Sequence, residues 1–319
     1  MRHLLAAAAL ALSAAAGAQT FPHKPIRLVV PFAPGGTSEI VARSVAQELT
    51  TQLGVSVYVE NKAGGASTIA MADVAHAPAD GYTLIIGHVG SLAVNPYAMQ
   101  RQPYDVNKDF VPVALLARVP NLFVVNAEKV PAKDFREFIA LAKAKPGELN
   151  YGSAGNGSAG HLAFEYLKMV TDTDITHVPY RGTGPQLQDL LGGRLDATSA
   201  GTPALLPHIK SGKLRAIAVG TPERIPALPD VPTVAEMGYA DFETSQWYGV
   251  LAPAGTPREV VMKLNAEINK ALRSTLVTQR YAADNASVSI GTPEEFGAFI
   301  RKEQARWEKV VKRANLKIE

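Results

Sequence analysis

The sequence contains no cysteine. This absence excludes disulfide bonds, a cysteine nucleophile, thiolate-bound zinc or iron–sulfur centres, and a lipid anchor on an N-terminal cysteine. A strong charge imbalance is also missing, because 32 Lys and Arg stand against 29 Asp and Glu and give a net charge of +3. Since no run of basic residues reaches the density that a polyelectrolyte needs, we expect no nucleic-acid partner.

The composition is that of a folded globular protein of 319 residues, 47% hydrophobic and 19% charged. At about 150 residues per domain, this length predicts two domains or one large one. The first residues predict export, because Arg2 precedes the apolar run 4–12, and Ala16 and Ala18 are small residues of the kind that a signal peptidase recognises. The run is shorter than the ~20 residues of a membrane span, so we expect a signal peptide over 1–18 and a periplasmic protein without an anchor.

Strands and helices alternate along the first part of the chain, with glycine-rich connections between them. A β-branched run at 25–30 predicts a strand, and apolar residues at helical spacing over 40–53 predict the helix that follows. We expect Thr37 or Ser38 to cap this helix and Gly54 to end it. The β-α-β order predicts a parallel sheet covered by helices.

A second α/β half follows the long apolar stretch 113–125, which we expect to cross from one domain to the other. Its loop 152–158 leads into a predicted helix at 159–170. A proline-dense loop at 222–232 precedes the return strand, and Thr256 is the predicted N-cap of the helix after it. Open α/β sheets bind ligands at the carboxyl ends of their strands, so two opposed halves predict a cleft between them.

Residues 155–160 match the pattern G-x-G-x-x-G between a short strand and a helix, as in a dinucleotide site. The strand is polar, and the next strand ends without the expected acidic residue, so we reject that function. The loop does offer backbone N–H groups and serine hydroxyls at a helix start. These groups suit a carboxylate ligand.

A hydrolase is the alternative from a different class, because Ser158 lies three residues before His161. No G-x-S-x-G sequence and no acidic residue placed to orient the imidazole accompany this pair. The histidines have no metal-ligand spacing, and Glu39 and Glu60 follow different strands. We therefore expect no catalytic residues, no metal and no cofactor.

Longer motifs make the chain recognisable as a whole. They lie at 31–43, 60–65, 80–84, 151–163, 178–182, 189–196, 229–233 and 247–257. Together they resemble the tripartite tricarboxylate transporter receptors, also called the Bug family of periplasmic solute-binding proteins, over the whole mature chain. One departure is Glu39, where the family usually has Asp, and whether this longer side chain enters the cleft is left open.

The resemblance implies a type II periplasmic binding protein with a two-lobed, Venus-flytrap α/β fold, each lobe being a mostly parallel sheet flanked by helices. Lobe 1 would comprise 22–121 and 246–319, and lobe 2 would comprise 122–245. The resemblance also implies a monomer that captures a small carboxylate, amino acid or related organic acid and closes around it. The liganded receptor would deliver its ligand to a membrane permease of the tripartite tricarboxylate type or, alternatively, signal to a sensor kinase ectodomain.

The resemblance transfers the family's ligand-binding positions to this chain one by one. They are Phe32, Pro34, Gly35, Gly36, Thr37, Ser38, Ala66, Ser67, His88, Ser91, Ser153, Ala154, Gly155, Gly157, Ser158, His161 and Tyr180. We further expect Trp247 and Tyr248 beside the cleft, because they lie at the return crossover.

Overall fold

The computed structural model describes residues 21–240, 242–283, 285–314 and 316–318, so the predicted signal peptide lies outside the described residues. The strands are β1 Ile26–Val30, β2 Val57–Asn61, β3 Thr83–His88, β4 Phe110–Asn126, β5 Asn150–Ser153, β6 Thr176–Pro179, β7 Ala197–Gly201, β8 Leu214–Val219, β9 Ser245–Pro253 and β10 Ser287–Val288. The α-helices are α1 Thr37–Leu53, α2 Thr68–Ala75, α3 Asn95–Ala98, α4 Phe135–Ala144, α5 Ala159–Thr171, α6 Thr183–Leu191, α7 Thr202–Lys210, α8 Arg258–Leu272, α9 Thr275–Ala283 and α10 Pro293–Ala314. Within these ranges, every helix is too short or too polar to cross a membrane.

The first sheet is built from both ends of the chain. β2, β1 and β3 run parallel, and β9 and β4 follow antiparallel to their neighbours. Because successive strand residues point to opposite faces, Leu28 packs with α1 and α8 while Val29 packs with α2 and α10. Both faces of the sheet are therefore covered by helices, which fits the apolar runs of β1 and β3.

The second sheet is built from the middle of the chain. β6, β5 and β7 run parallel, whereas β4 lies antiparallel to both β7 and β8. Leu122 faces the side covered by α6 and α7, and Phe123 faces the side covered by α4 and α5. Phe123 also makes an edge contact with Phe164 at 5.4 Å between ring centroids.

β4 belongs to both sheets. Its 17 residues span about 56 Å at ~3.3 Å each, which is enough to pass from one lobe to the other. β9 returns beside it, and the two crossover strands are joined where Gln246 Nε2 donates to Asn121 Oδ1 at 2.6 Å. The apolar stretch 113–125 thus lies within a single strand that pairs with strands of both sheets. Parallel pairing holds within the β-α-β units, and the crossover strands add the antiparallel pairs.

Two predicted helix caps are wrong. α1 begins at Thr37 with Gly36 at the N-cap position, and neither Thr37 nor Ser38 caps it through a side chain. Gly54 ends α1 in the left-handed conformation with φ 68°, as predicted. α8 begins two residues after Thr256, because that hydroxyl donates to a main-chain carbonyl three residues earlier instead of capping the helix.

Candidate functional site

The two lobes meet around a narrow cavity at the carboxyl ends of the strands. Its volume is about 20 Å³, which is room for about one water molecule. The lining residues are Phe32, Thr37, Ser38, His88, Val89, Ala154, Ser158, Ala159, Gly160, Thr183, Ser199, Ala200, Gln246, Trp247 and Tyr248. Both lobes and the returning crossover strand β9 thus contribute to one small space.

Three helices begin at this cavity. Thr37 and Ser38 open α1, Ala159 and Gly160 open α5, and Thr183 opens α6. The first turn of a helix has free N–H groups and the positive end of the helix dipole. Among the described residues no Lys, Arg, Asp or Glu side chain lines the cavity. Its electrostatic character therefore comes from main-chain groups, which favour an anion.

His88 closes the lobe 1 side of the cavity as a neutral ring. It is fully buried, and this burial lowers its pKa to about 3. Its Nδ1 accepts the Gly90 N–H at 3.1 Å, so the ring proton lies on Nε2 and is donated to Ser67 Oγ at 2.9 Å. The Ser91 hydroxyl accepts the His88 N–H, and the Phe32 ring lies 4.7 Å from the imidazole. These contacts fix the orientation of the histidine.

Two more buried histidines hold the glycine and serine loop of lobe 2. His161 Nδ1 accepts the Gly157 N–H at 3.2 Å, and His177 Nε2 forms a hydrogen bond with Ser153 Oγ at 2.7 Å. The two imidazole rings stack 4.3 Å apart. Burial lowers the pKa of His161 to about 4 and that of His177 to about 3, so both rings are neutral at physiological pH. Each histidine therefore anchors one arm of the loop.

The predicted pairing of Ser158 with His161 does not form a catalytic relay. The Ser158 hydroxyl caps α5 by accepting the main-chain N–H of His161 at 3.4 Å, and the ring nitrogen Nδ1 already accepts another N–H. In the described part of the chain, no carboxylate is hydrogen-bonded to either imidazole of the stacked pair. The described part of the chain also contains no cluster of His, Asp and Glu that could hold a metal ion.

Glu39 turns away from the cavity. Its Oε2 accepts the Gly35 N–H at 2.6 Å, and its Oε1 accepts from Arg43 Nε at 2.7 Å. The longer side chain, compared with the Asp usual in the family, therefore folds back onto the turn between β1 and α1. The question that the sequence left open is answered: Glu39 stabilises the turn and leaves the cavity wall uncharged.

The lobes touch main chain to main chain along segments 33–36 and 181–184, which we call the glycine seam. The Ala33 N–H donates to the Arg181 carbonyl at 2.8 Å across this seam. A Cβ atom at Gly184 would lie 2.2 Å from a main-chain carbonyl oxygen of the opposite segment. Such close approach requires glycine.

The structure distributes all of the predicted site residues except Tyr180 over three places. Those that line the cavity are Phe32, Thr37, Ser38, His88, Ala154 and Ser158. Those at the glycine seam are Pro34, Gly35 and Gly36. Those behind the wall are Ser67, Ser91, Ser153, Gly155, Gly157 and His161, which support the histidines or the loop, and Ala66, whose carbonyl accepts from Asn95 Nδ2. The Tyr180 hydroxyl donates to Asp189 at 2.7 Å, and its ring is not part of the cavity wall.

Sequence reasoning missed the polar cavity residues Thr183, Ser199 and Gln246. It also missed four cavity residues with small or apolar side chains, Val89, Ala159, Gly160 and Ala200. Ser199 lies near the end of β7, so the rule that ligands bind at the carboxyl ends of strands was the available signal. Trp247 and Tyr248 do line the cavity, as their position at the return crossover predicted.

Comparisons with known proteins agree with this architecture. Residues 41–316 match the sequence profile described as tripartite tricarboxylate transporter family receptor. The protein BugT of Bordetella pertussis is 39% identical over 308 residues, covering 96% of this chain and 94% of that protein. A solved Rhodopseudomonas palustris protein with adipate has a TM-score of 0.90 at 40% identity and covers 93% of this chain and 99% of that chain.

Two further solved structures are similar over almost their whole length. MatC from Rhodopseudomonas palustris, solved with bound malate, has a TM-score of 0.87 at 37% identity and covers 91% of this chain and 100% of that chain. The periplasmic binding protein BugD has a TM-score of 0.90 at 33% identity, with 93% and 99% coverage. The chain therefore belongs to the tripartite tricarboxylate transporter receptor family, whose members are periplasmic solute-binding receptors and not enzymes.

Proposed function

We propose that this receptor binds a small carboxylate between its lobes and delivers it to a membrane transporter of the tripartite tricarboxylate type. The observation that carries the proposal is the convergence of three helix N-termini on a cavity without charged side chains. Main-chain N–H groups hold a carboxylate there without a buried cation, whose desolvation would be costly. The adipate and malate in two similar structures support the same ligand class.

Ligand entry requires the lobes to separate, because a cavity of about 20 Å³ is too small for an organic acid. We place the hinge in the two crossover strands, where Gln246 donates to Asn121. The lobe boundaries proposed are then 22–121 with 246–319, and 122–245. A ligand shifts the balance toward the closed form only by its greater affinity for that form, so a carboxylate that contacts both lobes is the effective one.

A thermal-shift screen against organic acids tests ligand capture. A ligand present at 100 times its Kd adds about 2.7 kcal/mol to the free energy of unfolding, which raises the melting temperature by several degrees. We expect a shift with at least one of adipate, malate or other small carboxylates, and none with the corresponding uncharged diamide. An equal shift with the diamide, or no shift with any carboxylate, would contradict an anion site.

Delivery is tested with the purified permease in proteoliposomes. We expect uptake of the labelled ligand only when the receptor is added together with that ligand. Uptake that is unchanged without the receptor would contradict delivery, and activation of a sensor kinase ectodomain in its place would favour signalling.

Mass spectrometry of the periplasmic fraction should find a mature chain that begins at Gln19, as the residues before it predict.

A further inference from the structure

Two hydroxyl groups, one from each lobe, face the cavity without a hydrogen-bond partner among the described residues. Thr37 Oγ1 belongs to the first residue of α1, and Ser199 Oγ belongs to β7. The two residues are only 2% and 1% exposed. A buried hydroxyl without a hydrogen-bond partner destabilises a protein, so two of them at one cavity need an explanation.

The two hydroxyls lie near the same face of one strand. A Cβ atom at Gly201 would lie 2.5 Å from Thr37 Oγ1, so the threonine sits beside that end of β7. Ser199 precedes Gly201 by two residues and therefore points to the same side of the strand, about 7 Å away along it. A single small group of a ligand can reach both hydroxyls from between the lobes.

The polar side chains that β9 contributes to this end of the cavity already have partners. Gln246 donates to Asn121 and accepts from the Tyr248 hydroxyl, and the Trp247 Nε1–H is donated to Glu303 at 2.9 Å. No carboxylate among the described residues lines the cavity to pair with a cation. The positive ends of three helix dipoles also disfavour an ammonium group there.

From these observations we infer how the site selects its ligand, an inference that rests on the carboxylate-binding function proposed above. The Thr37 hydroxyl of lobe 1 and the Ser199 hydroxyl of lobe 2 bind the same carboxylate group of the ligand. The same site selects organic acids that lack an amino group over amino acids of the same carbon skeleton. An ammonium group would be buried there without a counter-charge, at a large desolvation cost.

Matched ligand pairs test the selectivity. Isothermal titration at one pH compares succinate with L-aspartate, glutarate with L-glutamate, and adipate with L-2-aminoadipate. In every pair that binds, we expect the acid without the amino group to bind at least tenfold more tightly. Equal or tighter binding of the amino acid in a pair overturns the proposed selectivity but does not contradict the proposed binding of carboxylates. If no member of any pair binds and the wider carboxylate screen is also negative, both proposals fail together.

Variants test the two hydroxyls, with the tightest acid of that series as the probe. Thr37→Val and Ser199→Ala should each weaken binding at least tenfold. The double variant should lose less than the product of the two single effects, because both hydroxyls bind the same group. If the two losses of affinity multiplied, the two hydroxyls would not bind the same carboxylate group. Unchanged affinity in both single variants would overturn the assignment.

Controls separate recognition from folding. Thr51→Val on the exposed side of α1 and Ser211→Ala beyond α7 also remove hydroxyls, and we expect neither to change affinity. The ligand-free Thr37→Val and Ser199→Ala proteins should melt at or above the wild-type temperature, because neither hydroxyl has a hydrogen bond within the protein to lose. A lower melting temperature in both would instead indicate a structural role and would overturn the assignment.

Discussion

A single methyl group added at Gly184 should keep the lobes apart without disturbing either of them. Gly184 is the second residue of α6, where the backbone is helical, so alanine fits the local conformation. Alanine is also the better helix former by up to about 1 kcal/mol. The ligand-free Gly184→Ala protein should therefore be at least as stable as the wild type.

The cost of the methyl group falls on closure alone. Its Cβ would lie 2.2 Å from the opposite carbonyl oxygen, whereas real Cβ atoms keep 3.0 Å or more, so the two segments of the glycine seam must move apart. This movement also breaks the 2.8 Å hydrogen bond from Ala33 to Arg181. Overpacking of this kind costs about 1–3 kcal/mol, which converts to a roughly 5- to 150-fold loss of ligand affinity.

Titration calorimetry and small-angle scattering with adipate, or with the tightest acid of the screen, measure the effect. We expect the wild type to become more compact on binding and Gly184→Ala to bind more weakly with less compaction. Gly192→Ala, at the other end of α6, is the matched control, because its φ of −79° accepts alanine and it lies away from the seam. If Gly184→Ala bound and compacted like the wild type, closure would not use the seam and the reasoning would be refuted.

Three further predictions concern stability. Burial lowers the pKa of His161 to about 4 and that of His177 to about 3, below an ordinary value of about 6.5. The two histidines therefore contribute stability above pH 6.5 that is lost as the pH falls toward 4. Coinciding urea midpoints at pH 7 and pH 4.5 would contradict this. Trp247→Phe should lower the free energy of unfolding in urea by about 1–3 kcal/mol, because the buried Glu303 carboxylate loses its hydrogen bond from the indole N–H. An unchanged midpoint would argue against that hydrogen bond. Asn265→Ala should cost a similar amount in the same assay, because its Nδ2 donates to main-chain carbonyls of β4 and of the segment before α10, and a neutral result would show that water replaces those bonds.

Local features were predictable where one short segment carries its own signal. The strand at 25–30 and the helix that ends at Gly54 both follow from apolar spacing and from glycine. The caps at Thr37 and Thr256 were mispredicted, because Gly36 takes the N-cap position of α1 and the Thr256 hydroxyl donates to the Pro253 carbonyl. The failed cap at Thr37 matters for function, since it leaves that hydroxyl free at the cavity.

By itself, the sequence determined the α/β class, the resemblance to a receptor family and the backbone character of the site, because these depend on periodicity and on glycine-rich motifs that are local in the chain. Only the tertiary structure decided that Glu39 folds back, that His161 and His177 stack, and that Thr37 and Ser199 line the same cavity. These are contacts between residues far apart in sequence, or choices among side-chain conformations. Their energies depend on packing and burial that no single segment encodes.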